Sequence, residues 1–255
     1  MKKLIFVTVG TSALFGKCNG LNWEHSANRQ IHPTQEHLCR KLDEDDINNR
    51  TDEFNHQKEG AISTIKKSLI RYYENRETGL IDLSAELASL LAMEKDSAIG
   101  PIASDDVIYL LHSDTADSRL CAEINEVLFK EDVVIEKSAS KLPWNIQEPI
   151  KIEKLNAVNV FDFQNEGLEN YQKKIINLSK DFNGRVLLNV TGGYKALIPF
   201  GTLLAFQNEF TIFYLFEQCN EIVYLDSAYF DERFGAPNVK MKSLAPGSSG
   251  RRSAE

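Results

Sequence analysis

Residues 186–200 read VLLNVTGGYKALIPF. An apolar run from Val186 to Val190 ends in Thr191-Gly192-Gly193, and a helical pattern follows over about 194–207. A strand that turns through two glycines into a helix leaves backbone N–H groups pointing outward at a positive helix end, which makes an anion cradle. Lys195 stands in the first turn of that helix, where a cation is slightly unfavourable unless an anion is bound. Two readings stay open here: a phosphate-binding turn that Lys195 charges, or an ordinary βα turn beside a solvated lysine. The spacing is neither GxxxxGK[ST] nor GxGxxG, so a Walker loop and a dinucleotide fingerprint are both excluded at this turn.

Working outward, Leu4 to Val9 is a second short apolar run, and Gly10-Thr11-Ser12 follows it. The two hydroxyls can bind a phosphate or a ribose, or merely cap the next helix. Val107 to Leu111 is a third buried strand. Asp114 and Thr115 come next and read as a cap for a helix reaching about Phe129; Arg119, one turn on, can reach a ligand or pair at the surface. Helical spacing places further helices over about 57–76 (Ile62, Ile65, Leu69), 82–92 (capped by Asp82 or Ser84) and 166–182 (Leu168, Tyr171, Ile175, Leu178). Short extended pieces are expected at 133–135 and within 150–163, with a Pro- and Trp-containing loop over 137–149. Thr211–Phe216 and Ile222–Leu225 form a terminal hairpin whose turn lies near Gln218 to Asn220.

Alternating strands and helices predict an α/β, Rossmann-like fold with a mostly parallel central sheet, flanking helices and a C-terminal antiparallel hairpin. Ligands in such sheets bind beyond the carboxyl ends of the strands, at a topological switch point. If the first strand and the 186–190 strand are neighbours, Gly10-Thr11-Ser12 and Thr191-Gly192-Gly193-Tyr194-Lys195 face one crevice.

The totals suit one large α/β domain or two small ones. The 255 residues suffice for a core without disulfides or metals, and the 42% hydrophobic content is ordinary for a soluble chain. A net charge of −8 argues against long nucleic acid as a partner and leaves a small anion open. Cys18, Cys39, Cys121 and Cys219 have no CxxC spacing and read as reduced thiols of a cytoplasmic protein. The apolar run near the start is too short for a signal peptide, and no stretch suits a bilayer. Residues 1–227 form the expected domain, with a polar insertion at 17–55 that can act as a lid. Residues 228–255 end in a small, Gly/Ser-rich tail that reads as disordered or as a truncated linker. His25, His32, His37 and Cys39 match no zinc spacing. Arg50 and His56 have an Arg-x5-His interval, but no helix pair is evident around them, and no Ser-His-Asp set or HExxH run is present. No metal and no cofactor is expected.

Taken in order, VTVGTS (7–12), LSAELASLL (83–91), YLLHSDTADSRLCAEIN (109–125), the long run from Glu166 to Phe200 and FYLFEQCNEIVYL (213–225) resemble the CRISPR-associated Rossmann-fold (CARF) domains of type III CRISPR systems. The likeness is nearest to the branch of stand-alone ring nucleases and CARF effectors. It implies a cytoplasmic homodimer whose two-fold pocket holds a cyclic oligoadenylate, with cyclic tetra-adenylate (cA4) preferred and cyclic hexa-adenylate (cA6) the alternative. It also implies metal-independent cleavage of that ring by its own ribose 2′-OH, which switches antiviral defence signalling off. By resemblance, Ser12 and Lys195 are the catalytic pair. Gly10, Thr11, Thr191, Gly192, Gly193 and Tyr194 face the ligand, and Asp114, Thr115 and Arg119 match the family's middle motif. The alternative is a sensor domain that binds without cleaving, as part of an effector. A transcription regulator would need a helix-turn-helix, and a dehydrogenase would need GxGxxG; neither is found.

Overall fold

The computed structural model describes residues 1–15, 51–73, 83–130, 144–156, 159–216, 221–226 and 228–229. In chain order the elements are β1 (Lys3–Thr8), α1 (Ser12–Phe15), α2 (Thr51–Tyr73), α3 (Ala85–Lys95), β2 (Val107–Ser113), α4 (Ala116–Lys130), β3 (Ile150–Ile152), α5 (Val160–Asp162), a π-helical turn (Phe163–Gly167), α6 (Leu168–Ser179), β4 (Arg185–Asn189), α7 (Leu197–Gln207), β5 (Thr211–Phe216) and β6 (Glu221–Leu225). Among the described residues the strands form a single sheet in the order β3-β2-β1-β4-β5-β6. Every pairing is parallel except β5 with β6, so the expected sheet and terminal hairpin are both present.

β1 is buried along its whole length because both of its faces are covered. Leu4 and Phe6 face one apolar layer, together with Tyr171, Ile175, Leu197 and Leu204 of α6 and α7. Ile5 and Val7 face the other, with Ile65, Leu69, Leu87, Leu120 and Leu128 of α2, α3 and α4. This alternation follows from the two-residue period of a strand. Burying each such side chain contributes about 1.5–3 kcal/mol. α3 is buried on all sides from Glu86 to Met93, which its Leu/Ala composition permits. At the amino edge of the sheet Lys3 Nζ pairs with the buried Asp106 carboxylate at 2.9 Å.

The chain runs outward from β1 through β2 to β3, then crosses back to β4 on the far side of β1. The switch point therefore lies between β1 and β4, which pair from Lys3↔Arg185 to Val7↔Asn189.

Several boundaries differ from expectation for local reasons. The helix expected from 194 begins at Leu197; a tight turn precedes it, with Leu197 N–H bonded to the Tyr194 carbonyl at 2.8 Å and Ile198 N–H to that of Lys195 at 3.2 Å. Lys195 thus stands just outside α7 rather than in its first turn. Of the two expected caps of α3, Ser84 fills the role, accepting from Leu87 N–H at 3.2 Å. Of the one or two extended pieces expected within 150–163, the described residues hold one, Ile150–Ile152; Val160 onward is helical, with Asn159 as its cap. The piece expected at 133–135, the hairpin turn at 218–220, and most of the 17–55 insertion and the tail lie outside the described residues, as do Cys18, Cys39, Cys219, Arg50 and the three histidines of the insertion.

Candidate functional site

The β1 and β4 turns meet at the switch point. Thr8, the last residue of β1, is buried, and its hydroxyl donates to the Gly192 carbonyl at 2.7 Å, with the Asn189 carbonyl 3.1 Å away. A Cβ on Gly10 would lie 2.6 Å from the Gly193 nitrogen, so the two turns touch backbone to backbone. Gly193 has φ +84°, a conformation that glycine adopts without strain. Gly192 has no room for a side chain either, since a Cβ there would run into Glu86 and the Thr8 carbonyl. The glycines thus serve close approach as well as turning.

Asn189 anchors the base of the β4 turn. It is fully buried, and its carboxamide oxygen accepts from the Thr191 amide at 3.1 Å and the Thr191 hydroxyl at 2.7 Å. Its amide donates to Ser89 of α3 at 2.7 Å. The Thr191 hydroxyl also accepts from Leu215 N–H of β5 at 2.9 Å. With its proton and an acceptor site already used, Thr191 shapes the turn. Beyond it, the amides of Gly192 to Ala196 have no acceptor among the described residues, and the Lys195 side chain is exposed without an ion pair among them. Thr11 is exposed as well. Tyr194 packs edge-on against Phe163, their ring centroids 6.1 Å apart, which ties this turn to the segment after β3.

Ser12 is half-buried and bonded twice to α3. Its hydroxyl donates to Glu86 Oε2 at 3.0 Å and accepts from Ala85 N–H at 2.9 Å, which satisfies one of the open amides of that helix start. Glu86 was not foreseen as a site residue. Its carboxylate is fully buried and accepts from Gly10 N–H at 2.7 Å and from the Asn125 amide at 3.4 Å as well. Burial pushes its pKa above the usual glutamate range, against the opposing pull of those hydrogen bonds. The signal was legible in outline: Glu86 is the one charged residue within 83–93, LSAELASLLAM, and so the one charge that helix must bury.

The middle motif lies at the carboxyl end of β2, beside β1, but its side chains are occupied. Asp114 caps no helix; its carboxylate accepts from Lys154 N–H at 2.9 Å and the Asn156 amide at 2.7 Å, holding the exit of β3. Thr115 takes the cap position of α4 through its carbonyl, which accepts from Arg119 N–H at 3.0 Å, while its hydroxyl lies 2.9 Å from that of Ser113. Arg119 pairs with Glu123 at 3.0 Å, and Glu123 also binds Lys58 at 2.8 Å. Next to them, burial holds the His112 ring below the usual histidine range.

The structure therefore brings the β1 turn, which carries Gly10, Thr11 and Ser12, against the β4 turn, Thr191 to Lys195, at the carboxyl end of the sheet. Asp114, Thr115 and Arg119 lie on the same edge of the sheet, in a separate hydrogen-bonded group. Among the described residues no three His, Cys, Asp or Glu side chains gather as metal ligands, and no helix is long and apolar enough to cross a membrane.

No curated protein matches the chain. Residues 81–227, from just before α3 to just beyond β6, match the model of a family described as CRISPR-associated protein (Cas_APE2256). That stretch includes Glu86 and the whole β4 turn but stops short of β1 and Ser12. It spans more than half of the 255 residues, and the chain belongs to this CRISPR-associated family.

Proposed function

We propose that the crevice binds a cyclic oligoadenylate and that the protein is a ring nuclease acting on it. The observation that carries this reading is the β4 turn: the amides of Gly192 to Ala196 have no acceptor among the described residues, the exposed Lys195 beside them has no ion pair among those residues, and the Gly10–Gly193 contact holds the turn at the switch point. Such an arrangement suits phosphate oxygens. Membership of a CRISPR-associated family makes a nucleotide signal the fitting anion. Cyclic tetra-adenylate is the ring chosen for tests. A homodimer would place two such turns around one symmetric ring. The exposed Val160 and Phe161, on the segment that carries Phe163 to Tyr194, offer apolar surface for that contact.

The reaction needs no nucleophile from the protein. The ribose 2′-oxygen attacks the adjacent 3′-phosphorus, the bond to the 5′-oxygen breaks, and a 2′,3′-cyclic phosphate and a 5′-hydroxyl result. The protein's tasks are to hold attacking oxygen, phosphorus and leaving oxygen in line, and to offset charge growing on the phosphoryl oxygens. Ser12 serves alignment at the ribose, and Lys195 with the Gly192 and Gly193 amides serves the charge.

Incubation of the purified protein with cyclic tetra-adenylate in EDTA, followed by product analysis, tests this. Linear products ending in 2′,3′-cyclic phosphate are expected; an intact ring after prolonged single-turnover incubation refutes cleavage. One observation favours a second reading, a sensor that binds without cleaving: the Ser12 hydroxyl is already committed to Glu86 and Ala85. That reading predicts tight binding and an intact ring in the same assay.

A further inference from the structure

Resting on the ring-nuclease reading, the geometry around Ser12 points to a further assignment: Glu86 is a positioning residue that receives the ribose 2′-OH proton through the Ser12 hydroxyl. A serine hydroxyl has one proton and two acceptor sites. The Ser12 proton goes to Glu86 Oε2 at 3.0 Å, and one acceptor site takes Ala85 N–H at 2.9 Å. One acceptor site has no donor among the described residues. While Glu86 is ionised, Ser12 can therefore accept from a ligand and cannot donate to it. A phosphate diester oxygen has no proton to give, whereas a ribose hydroxyl has one. Ser12 thus selects a ribose hydroxyl over a phosphate oxygen and joins it to a buried carboxylate in a chain of two hydrogen bonds.

Three donors converge on Glu86, from Gly10, Ser12 and Asn125, which suits the ionised carboxylate. Among the described residues the groups facing it are these three on the β1 turn, α1 and α4, its own backbone amide on α3, and the Gly192 backbone on the β4 turn. None carries a charge. Burial among neutral groups makes a carboxylate more basic than it is in water, as a proton acceptor near neutral pH requires.

The step balances as follows. The 2′-OH proton passes to Ser12 Oγ while the Ser12 proton passes to Glu86 Oε2. The freed electron pair on the 2′-oxygen forms the new bond to phosphorus, the P–O5′ bond breaks, and the leaving 5′-oxygen takes a proton from water. Glu86 then returns its proton to solvent through Ser12, so that nothing is consumed.

The test uses full-length wild type, Glu86→Gln, Ser12→Ala and the double variant, with cyclic tetra-adenylate as probe. Affinity and single-turnover cleavage are both followed against pH. Glu86→Gln is expected to bind within about threefold of wild type and to cleave at least about 100-fold more slowly, the scale of a lost proton acceptor. The wild-type rate should fall as pH drops below the Glu86 pKa, and that limb should vanish in Glu86→Gln. The double variant should cleave no more slowly than the slower single variant, because both act on one proton path. Should Glu86→Gln fail to fold, Ser12→Ala alone decides: it severs the path while leaving Glu86 in place, so the acid limb should vanish there too. Cleavage by Glu86→Gln at the wild-type rate, equal losses of rate and affinity, or an acid limb that persists in Ser12→Ala overturns the assignment while leaving the ring-nuclease reading intact. A wild-type protein that binds the ring and never cleaves it overturns both.

Discussion

Gly10 and Gly193 touch across the switch point so closely that one added methyl group has nowhere to go: a Cβ on Gly10 would fall 2.6 Å from the Gly193 nitrogen. Both sides of that contact are backbone, which cannot swing away as a long side chain does. Gly10→Ala should therefore push the β1 and β4 turns apart. The overpacking costs about 1–3 kcal/mol, visible as a lower thermal midpoint. Because the displaced amides belong to the proposed anion cradle, binding of cyclic tetra-adenylate should weaken at least about tenfold, which calorimetry measures.

Gly193→Ala tests the same contact through conformation. At φ +84° an alanine costs roughly 1–2 kcal/mol in backbone strain. Its Cβ would meet the Thr8 side chain at 3.2 Å, a neighbour with more give than backbone. The expected outcome is a smaller loss of thermal stability than for Gly10→Ala, with weakened binding in both. Equal losses in a denaturation series would show that strain, and not close approach, limits the turn.

Lys195 is exposed and makes no ion pair among the described residues, so removing it should leave the fold unchanged. Lys195→Ala should keep the wild-type melting curve yet lose at least about tenfold in affinity for cyclic tetra-adenylate, as expected for a charge-assisted contact to phosphate. The loss should shrink as salt rises, since screening already weakens the wild-type contact. A binding series at two ionic strengths checks both points.

The sheet and the two turns that meet at its switch point were legible because they rest on local pattern. Buried strands at 4–9, 107–111 and 186–190 announce themselves as apolar runs, and the paired glycines at 192 and 193 mark a turn before the helix. What escaped were interactions between segments far apart in sequence. Asp114 looks like a helix cap from its neighbours alone, yet it serves Lys154 and Asn156, some forty positions away. Glu86 looks like a first-turn acid that favours a helix start, and only the folded chain shows that Gly10, Ser12 and Asn125 all point at it. The resemblance implies that Thr191 faces the ligand, and only the folded chain shows that its hydroxyl is used by Asn189 and Leu215.

That last difference is itself testable. Thr191→Val keeps the shape of the side chain but removes the acceptor for Leu215 N–H and the hydroxyl donor to Asn189. A loss of about 1–3 kcal/mol in denaturant unfolding is expected, the cost of leaving such groups without partners. Affinity for the ring should change less than about threefold. A large loss of affinity with unchanged stability would assign the Thr191 hydroxyl to the ligand instead.

Glu86 leaves a mark on stability with the opposite sign to that of most carboxylates. Its folded pKa lies above its unfolded one because burial disfavours the charge. Within the window between those two values the native protein holds a proton that the unfolded chain has released. Stability therefore falls as pH rises through that window, by up to about 1.4 kcal/mol per pH unit, and levels off above the folded value. Glu86→Gln has no such window. The stability of wild type relative to the variant should thus be greatest at the acid end, decline as pH climbs past the ordinary glutamate range, and reach a plateau once Glu86 is ionised in the native state. Taking the difference between the two proteins cancels the titration of every other carboxylate. Urea unfolding of both from acid to neutral pH gives the curve directly. A difference that rises with pH would mean that the three hydrogen bonds to Glu86 outweigh its burial. The carboxylate would then be too weak a base to take a proton from Ser12.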